Sequence, residues 1–260
     1  ANPVTGDQVA MTNHHWKFSV NALREGLGVS RFLLLNDFTA LALSLTLLPD
    51  AQKRQVGGGV AAPDAAIGLI GPGTGLGVSG LFPVGYQNKW MPIAGEGGHV
   101  SLTATTEHEF AAIQQLQKRY GHVSAERVIS GAGLVDLYHA LCDLKDGQGR
   151  EITTPAEVIE RAQEVATSTA NEALDMFCGF LGSVAGDLAL TLGARGGIYI
   201  GGGIVPRLGE RFDASPFRER FEAKGRFKKY LQEVPTWVIH SPVSPALQGA
   251  SQALSLTQWQ

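Results

Sequence analysis

An Asn–Asp pair, Asn36–Asp37, interrupts the apolar run FLLLNDFTALALSLTLLP between Phe32 and Pro49. A carboxylate set among leucines must be held ionised by partners or change its protonation state. Phe32–Leu35 reads as a short buried strand, and Phe38–Leu48 as a helix that Pro49 stops. The pair then sits at the carboxyl end of a strand, where open α/β sheets bind ligands. Asp37 has two compatible readings. It caps the helix, as Asp commonly does. Alternatively, kept ionised by helix N–H groups, it takes a proton from a substrate hydroxyl.

Glycine marks the next candidates. In GPGTGLGVSG, glycines stand at positions 71, 73, 75 and 77, with Thr74 among them. The spacing is not GxGxxG, because position 76 is leucine, and no GK[ST] follows. Backbone N–H groups free of side chains can still cradle a phosphate, with the Thr74 hydroxyl added. A plain hairpin turn is the alternative, and it needs fewer glycines. In GEGGHV, Glu96 and His99 are three residues apart. Gly97 and Gly98 argue against the helix that would make them a metal pair. A loop with one acceptor and one donor side chain suits the hydroxyls of a polyol, although His99 alone also reads as a structural histidine. Glu126, in HVSAERVISGAGL, reads by itself as a surface helical residue beside Arg127. GGIYIGGGIVPR places Gly201, Gly202 and Gly203 between a strand and a helix. A flat ligand can lie against such backbone; a tight packing turn is the alternative. KGRFKKY, Lys224–Tyr230, reads as a solvated helix face, not as a nucleic-acid footprint.

These residues need elements to hold them. AAIGLIGPGTGLGVSGLFPV reads as two strands joined at the glycine turn. Residues 107–120, 133–144 and 155–192 read as helices, the last carrying glycines at 179, 182 and 186 that imply close packing. A strand at 197–200, a helix from about Pro206, a strand at 236–240 and a helix at 245–256 follow. Alternating strands and helices indicate an α/β architecture. The chain has 260 residues, 44% of them hydrophobic, enough for a substantial core. Its net charge of −3 offers no strongly basic face to a nucleic acid. No apolar run reaches about 18 uninterrupted residues, so no membrane span is visible. The two cysteines, Cys142 and Cys178, lack metal-ligand spacing and read as free thiols.

Taken in order, GDQVAMTNHHWKFS, LLNDFTALAL, GPGTGLGV, GEGGHVSL, HVSAERVISGAGLVDLY, GGIYIGGGIVPR and KGRFKKYLQEVP resemble the bacterial glucokinase family of the actin/hexokinase/Hsp70 ATPase superfamily. The resemblance spans nearly the whole chain. The cysteine-rich zinc motif of the related repressor/kinase family is missing. The resemblance implies a two-lobed, actin-like (ribonuclease H-like) α/β fold. Residues 1–47 plus 239–260 would belong to a small lobe, incomplete at its N-terminus, and residues 48–238 to a large lobe. It implies phosphorylation of glucose by ATP, with Mg²⁺, at the sugar 6-hydroxyl. Asp37 would be the general base. Asn36, Glu96, His99 and Glu126 would be further sugar ligands. Gly73, Thr74 and Gly75 would hold phosphate, and Gly201, Gly202 and Gly203 adenosine. No metal ligand is assigned. The implied partners are glucose and ATP in a cytoplasmic homodimer, with neither nucleic acid nor membrane.

One family feature does not occur here: the Asp-x-Gly-Gly-Thr loop that positions the ATP phosphates and Mg²⁺. VGGGV at Val56–Val60 lacks the preceding Asp. The expectation is a glucokinase chain that starts after the family's first strands and has little activity alone, since phosphoryl transfer depends on positioning. Two alternatives are a non-catalytic sugar-sensing module and a kinase for a related hexose or N-acetylhexosamine. The first would need a missing base or an added DNA-binding segment. Selectivity among hexoses turns on small pocket differences that the residues alone do not separate.

Overall fold

Period-two alternation sets which face of the sheet each strand residue takes, and two cores follow from it. The structure, a computed structural model, describes residues 6–10, 15–85, 89–145, 147, 151–165 and 167–255. Parts of the GDQVAMTNHHWKFS segment and the end of the expected 245–256 helix lie outside them. Strands β1 (Gln8–Ala10) and β2 (Lys17–Ser19) form an antiparallel ribbon, followed by helices α1 (Val20–Gly26) and α2 (Asp37–Ser44). Next come β3 (Lys53–Val56), β4 (Ile67–Pro72), β5 (Leu76–Val84) and β6 (Lys89–Ala94). Helices α3 (Glu107–Tyr120), α4 (Gly131–Lys145), α5 (Pro155–Glu164) and α6 (Thr169–Leu192) precede β7 (Ile198–Ile200). Four short helices, α7 (Val205–Leu208), α8 (Glu210–Asp213), α9 (Phe217–Glu222) and α10 (Lys228–Gln232), lead to β8 (Thr236–Ile239) and α11 (Ala246–Ser255).

The main sheet has the order β3-β8-β7-β4-β5-β6. β4 pairs antiparallel with β5, and β5 with β6, while β7 runs parallel to both β4 and β8. Ile70, Ile198, Ile200 and Val238 point to one face, into the larger core formed with α4, α5, α6 and α9. Ile67, Leu69, Tyr199 and Ile239 point to the other, under Leu41, Leu43 and Ala253 of α2 and α11. The sheet is thus covered on both sides, as expected of an α/β layer architecture.

Close backbone approach fixes the helices. A β-carbon on Gly186 would lie 2.6 Å from the Phe221 carbonyl oxygen, so the α6 glycines admit the α9 backbone. Gly249 of α11 packs against the Ala40 carbonyl in the same way. α6 is long and apolar enough by composition to cross a membrane, but 67% of its apolar window is buried inside the protein. A buried ion pair joins Arg220 of α9 to Glu109 of α3, and Arg220 Nη2 also donates to Ser183 Oγ at 2.9 Å. Burial would raise the Glu109 carboxyl, but Arg220 and the Thr105 N–H and hydroxyl hold it below the usual carboxylate value. Both cysteines are buried free thiols, and burial pushes Cys178 up to about 12.

Two expected elements differ. Residues 31–36 form no strand, because no described strand pairs with their backbone; Leu33 and Leu35 only pack against the α2 side of the sheet. The expected single helix over 155–192 is two. Val165 turns extended at φ −131°, and Ser168 starts α6 afresh by accepting from the Asn171 N–H.

Candidate active site

The site begins at the first turn of α2. Asn36, not Asp37, is the N-cap: its Oδ1 accepts from the Phe38 N–H at 2.8 Å and the Thr39 N–H at 3.3 Å. Asp37 is the first helical residue and lies exposed, accepting from the Phe38 N–H at 3.0 Å. The sequence placed this carboxylate in a core. The structure sets it at a solvent-facing helix end.

The β4–β5 hairpin turns at Gly73, Thr74 and Gly75, with Pro72 facing Leu76 and Gly71 facing Gly77. The alternating glycines serve different neighbours. Gly71 and Gly77 make room for the Phe38 ring; a β-carbon at Gly71 would lie 2.6 Å from Phe38 Cζ. A β-carbon at Gly75 would overlap the Glu126 carboxylate. Gly73 faces open space, and Thr74 is exposed. Packing therefore accounts for three of the four glycines, and the turn itself remains accessible.

Glu126 does not sit on a surface helix beside Arg127, as the isolated residue had implied. It is half-buried in a turn, and its Oε2 accepts the Leu76 N–H at 2.9 Å. Its own N–H donates to the Gly98 carbonyl at 2.8 Å. Arg127 instead lies over the Tyr120 ring, 4.3 Å from its centroid. Gly97–His99 forms one 3₁₀ turn, packed so closely on the hairpin that a β-carbon at Gly98 would overlap the Leu76 carbonyl. His99 and Glu96 approach to 4.0 Å, with side chains 61% and 52% exposed. The His99 side chain is thus exposed and not part of the core.

Gly201, Gly202 and Gly203 follow β7 at the edge where β4 ends. Gly202 has φ +78°, which favours glycine, and a β-carbon on it would overlap the Pro72 carbonyl. Gly201 is buried under Leu41 of α2, and Gly202 and Gly203 are exposed. The hairpin turn, Glu126, the Gly97–His99 turn, the Gly201–Gly203 turn and the start of α2 thus surround the carboxyl ends of β4 and β7. The Lys224–Tyr230 segment lies outside this group, in a 3₁₀ turn and α10, with residues 225–229 exposed.

Three participants escaped the sequence: the Phe38 ring, the Leu76 N–H and the Pro72 carbonyl. Hairpin register held one signal, since a three-residue turn at 73–75 pairs Gly71 with Gly77 and leaves a slot between the strands.

Comparison with known proteins identifies the family and the fold. A glucokinase family model matches residues 1–257. The glucokinase of Chromobacterium violaceum is 54% identical over 255 residues, covering 98% of this chain and 72% of that protein. A bifunctional glk protein of Paraburkholderia xenovorans is 51% identical over 98% of this chain, which spans 39% of that longer protein. The crystal structure of a glucokinase from an Antarctic psychrotroph superposes with a TM-score of 0.87 at 35% identity, covering 98% of this chain and 78% of that one. Fold and site define an α/β sugar kinase of the actin-like ATPase class. The chain belongs to the glucokinase family, whose reaction is the phosphorylation of glucose by ATP.

Proposed function

We propose that Asp37 is the general base of this reaction and that the surrounding residues divide the substrates between them. Asp37 accepts the proton of the glucose 6-hydroxyl as its oxygen attacks the γ-phosphorus of ATP and ADP leaves. Asn36, through its amide N–H₂, and Glu96, His99 and Glu126 orient the sugar hydroxyls. Gly73, Thr74 and Gly75 hold phosphate through backbone N–H groups and the Thr74 hydroxyl. Gly201, Gly202 and Gly203 lie against the adenosine.

The observation that carries the reading is the division of labour at α2. Asn36 supplies the cap, so the exposed Asp37 carboxylate is left for a substrate. Among the described residues no three His, Cys, Asp or Glu side chains converge on a common point. Mg²⁺ commonly enters such sites with the nucleotide phosphates. When bound, the ion supplies charge neutralisation at the transferring phosphoryl group.

The reading also assigns residues 1–47 and 239–260 to a small lobe and residues 48–238 to a large one. The packing of Gly249 of α11 on the Ala40 carbonyl of α2 supports the pairing of the two small-lobe segments. A cytoplasmic homodimer follows from family resemblance, and sedimentation would read the dimer directly.

The test is Asp37→Asn in the full-length protein. The Asn36 cap is untouched, so the melting temperature should hold. Loss of a general base should lower kcat by roughly 10²–10⁴-fold. Retention of wild-type kcat would show that Asp37 is not the base.

A further inference from the structure

Gly71 and Gly77 face each other across the β4–β5 ladder, one pair removed from the Gly73–Gly75 turn. Glycine inside a strand weakens it and commonly marks a place where another group approaches closely. Two glycines opposite each other leave a slot on one face of the hairpin, and the Phe38 ring fills it. A β-carbon on Gly71 would lie 2.6 Å from Phe38 Cζ and 2.9 Å from Cε1, and one on Gly77 would overlap Cγ, Cδ2 and Cε2. The ring belongs to the residue after Asp37. The Phe38 N–H also donates to Asp37 Oδ1 at 3.0 Å and to the Asn36 cap oxygen at 2.8 Å. One residue therefore touches the phosphate hairpin with its ring and the Asp37 carboxylate with its amide.

We propose that Phe38 is a positioning residue for phosphoryl transfer: its ring, seated in the Gly71–Gly77 slot, fixes the Asp37 carboxylate relative to the phosphate turn. The proposal rests on the reading of Asp37 as the base. The hydroxyl to be deprotonated and the phosphorus it attacks are held by different elements, α2 and the β4–β5 hairpin. In-line transfer needs them in one register, and a misplacement of about 1 Å can cost roughly 10²-fold in rate. Among the described residues no backbone hydrogen bond joins α2 to the hairpin. Leu41 and Leu43 seat the body of α2 on the sheet, and the ring in the slot is the contact that ties its first turn to the hairpin beside the Gly73–Gly75 turn. It is only partly buried, packed at the rim of the α2 core, so a smaller side chain there does not empty a sealed cavity.

The test is a mutant cycle in the full-length protein. Phe38→Leu keeps an apolar side chain but leaves the slot unfilled, and Gly77→Ala expels the ring from the other side. Each should lower kcat by roughly 10–100-fold, with KM for glucose and for ATP within about threefold of wild type. In an Asp37→Asn background, Phe38→Leu should cost less than about twofold more, because residues acting as a unit are not additive. A purely structural role would lower kcat by the same factor in both backgrounds and would move both KM values; either result overturns the proposal. If Asp37→Asn alone retains wild-type kcat, the base assignment falls, and the proposal with it. If Asp37→Asn is impaired while Phe38→Leu and Gly77→Ala both keep wild-type kcat, Phe38 is not a positioning residue and the base assignment stands. Far-ultraviolet circular dichroism on each variant confirms the fold, and Gly77→Ala supplies the test if Phe38→Leu fails to fold.

Discussion

Glu126 secures the hairpin turn, and the proposed function also makes it a sugar ligand; two substitutions separate these roles. Its Oε2 accepts the N–H of Leu76, a residue only 5% exposed at the start of β5, and its backbone N–H is tied to Gly98. Glu126→Ala removes the acceptor from a buried amide, which costs about 1–3 kcal/mol. In a domain of this size each kcal/mol lowers Tm by about 2–4 °C, so a fall of roughly 2–12 °C is expected. Glu126→Gln keeps an oxygen for the Leu76 N–H and should melt within about 2 °C of wild type. If Glu126 is a sugar ligand as proposed, the effect of this variant falls on glucose binding. A hydrogen bond to a charged group contributes about 1 kcal/mol more than one between neutral groups, so glucose KM should rise roughly fivefold. Thermal unfolding followed by circular dichroism reads the first effect, and a coupled glucose 6-phosphate assay the second. If Glu126→Ala melts with the wild type, the carboxylate does not secure the hairpin turn. If both variants keep the wild-type glucose KM, Glu126 is no sugar ligand.

Two further outcomes follow from the same contacts. Asn36→Ala strips the Phe38 and Thr39 N–H groups of their cap and should cost about 1 kcal/mol in urea unfolding, whereas Asn36→Asp should cost almost nothing; equal losses would show that the cap does not stabilise α2. Glu109 is held below its ordinary value of 4.5 by Arg220 and Thr105 despite its burial. The stability it confers is therefore fully present above that value and lost as pH falls through the lowered one. Urea midpoints measured from about pH 6 to pH 3 should fall steeply for the wild type and less for Glu109→Gln; identical slopes would remove Glu109 from the acid response.

Local sequence located the site's parts but misjudged their settings. Asp37 looked buried because apolar residues flank it on both sides. A helix start points successive side chains in different directions, so Phe38 turns inward while Asp37 faces solvent. Both Asn36 and Asp37 are good caps, and only the backbone geometry, with Asn36 extended at ψ 143° and Asp37 already helical, decides between them. Phe32–Leu35 has strand composition, but strand identity requires a paired neighbour, which composition does not supply. The break between α5 and α6 had a readable signal in Ser168. It was masked by helix-forming residues on either side.

Glycine spacing, the β4–β5 hairpin, the α/β alternation and the family were determined by the sequence itself, because turn chemistry and period-two patterning are local properties of the chain. The uses of those glycines were decided by tertiary structure alone. Gly75 admits Glu126 from 51 residues away, Gly202 admits the Pro72 carbonyl, and Gly71 with Gly77 admits Phe38. A missing side chain reads in sequence as freedom of the backbone. In the folded molecule it is space, and what fills that space depends on which distant segment the sheet order brings to it.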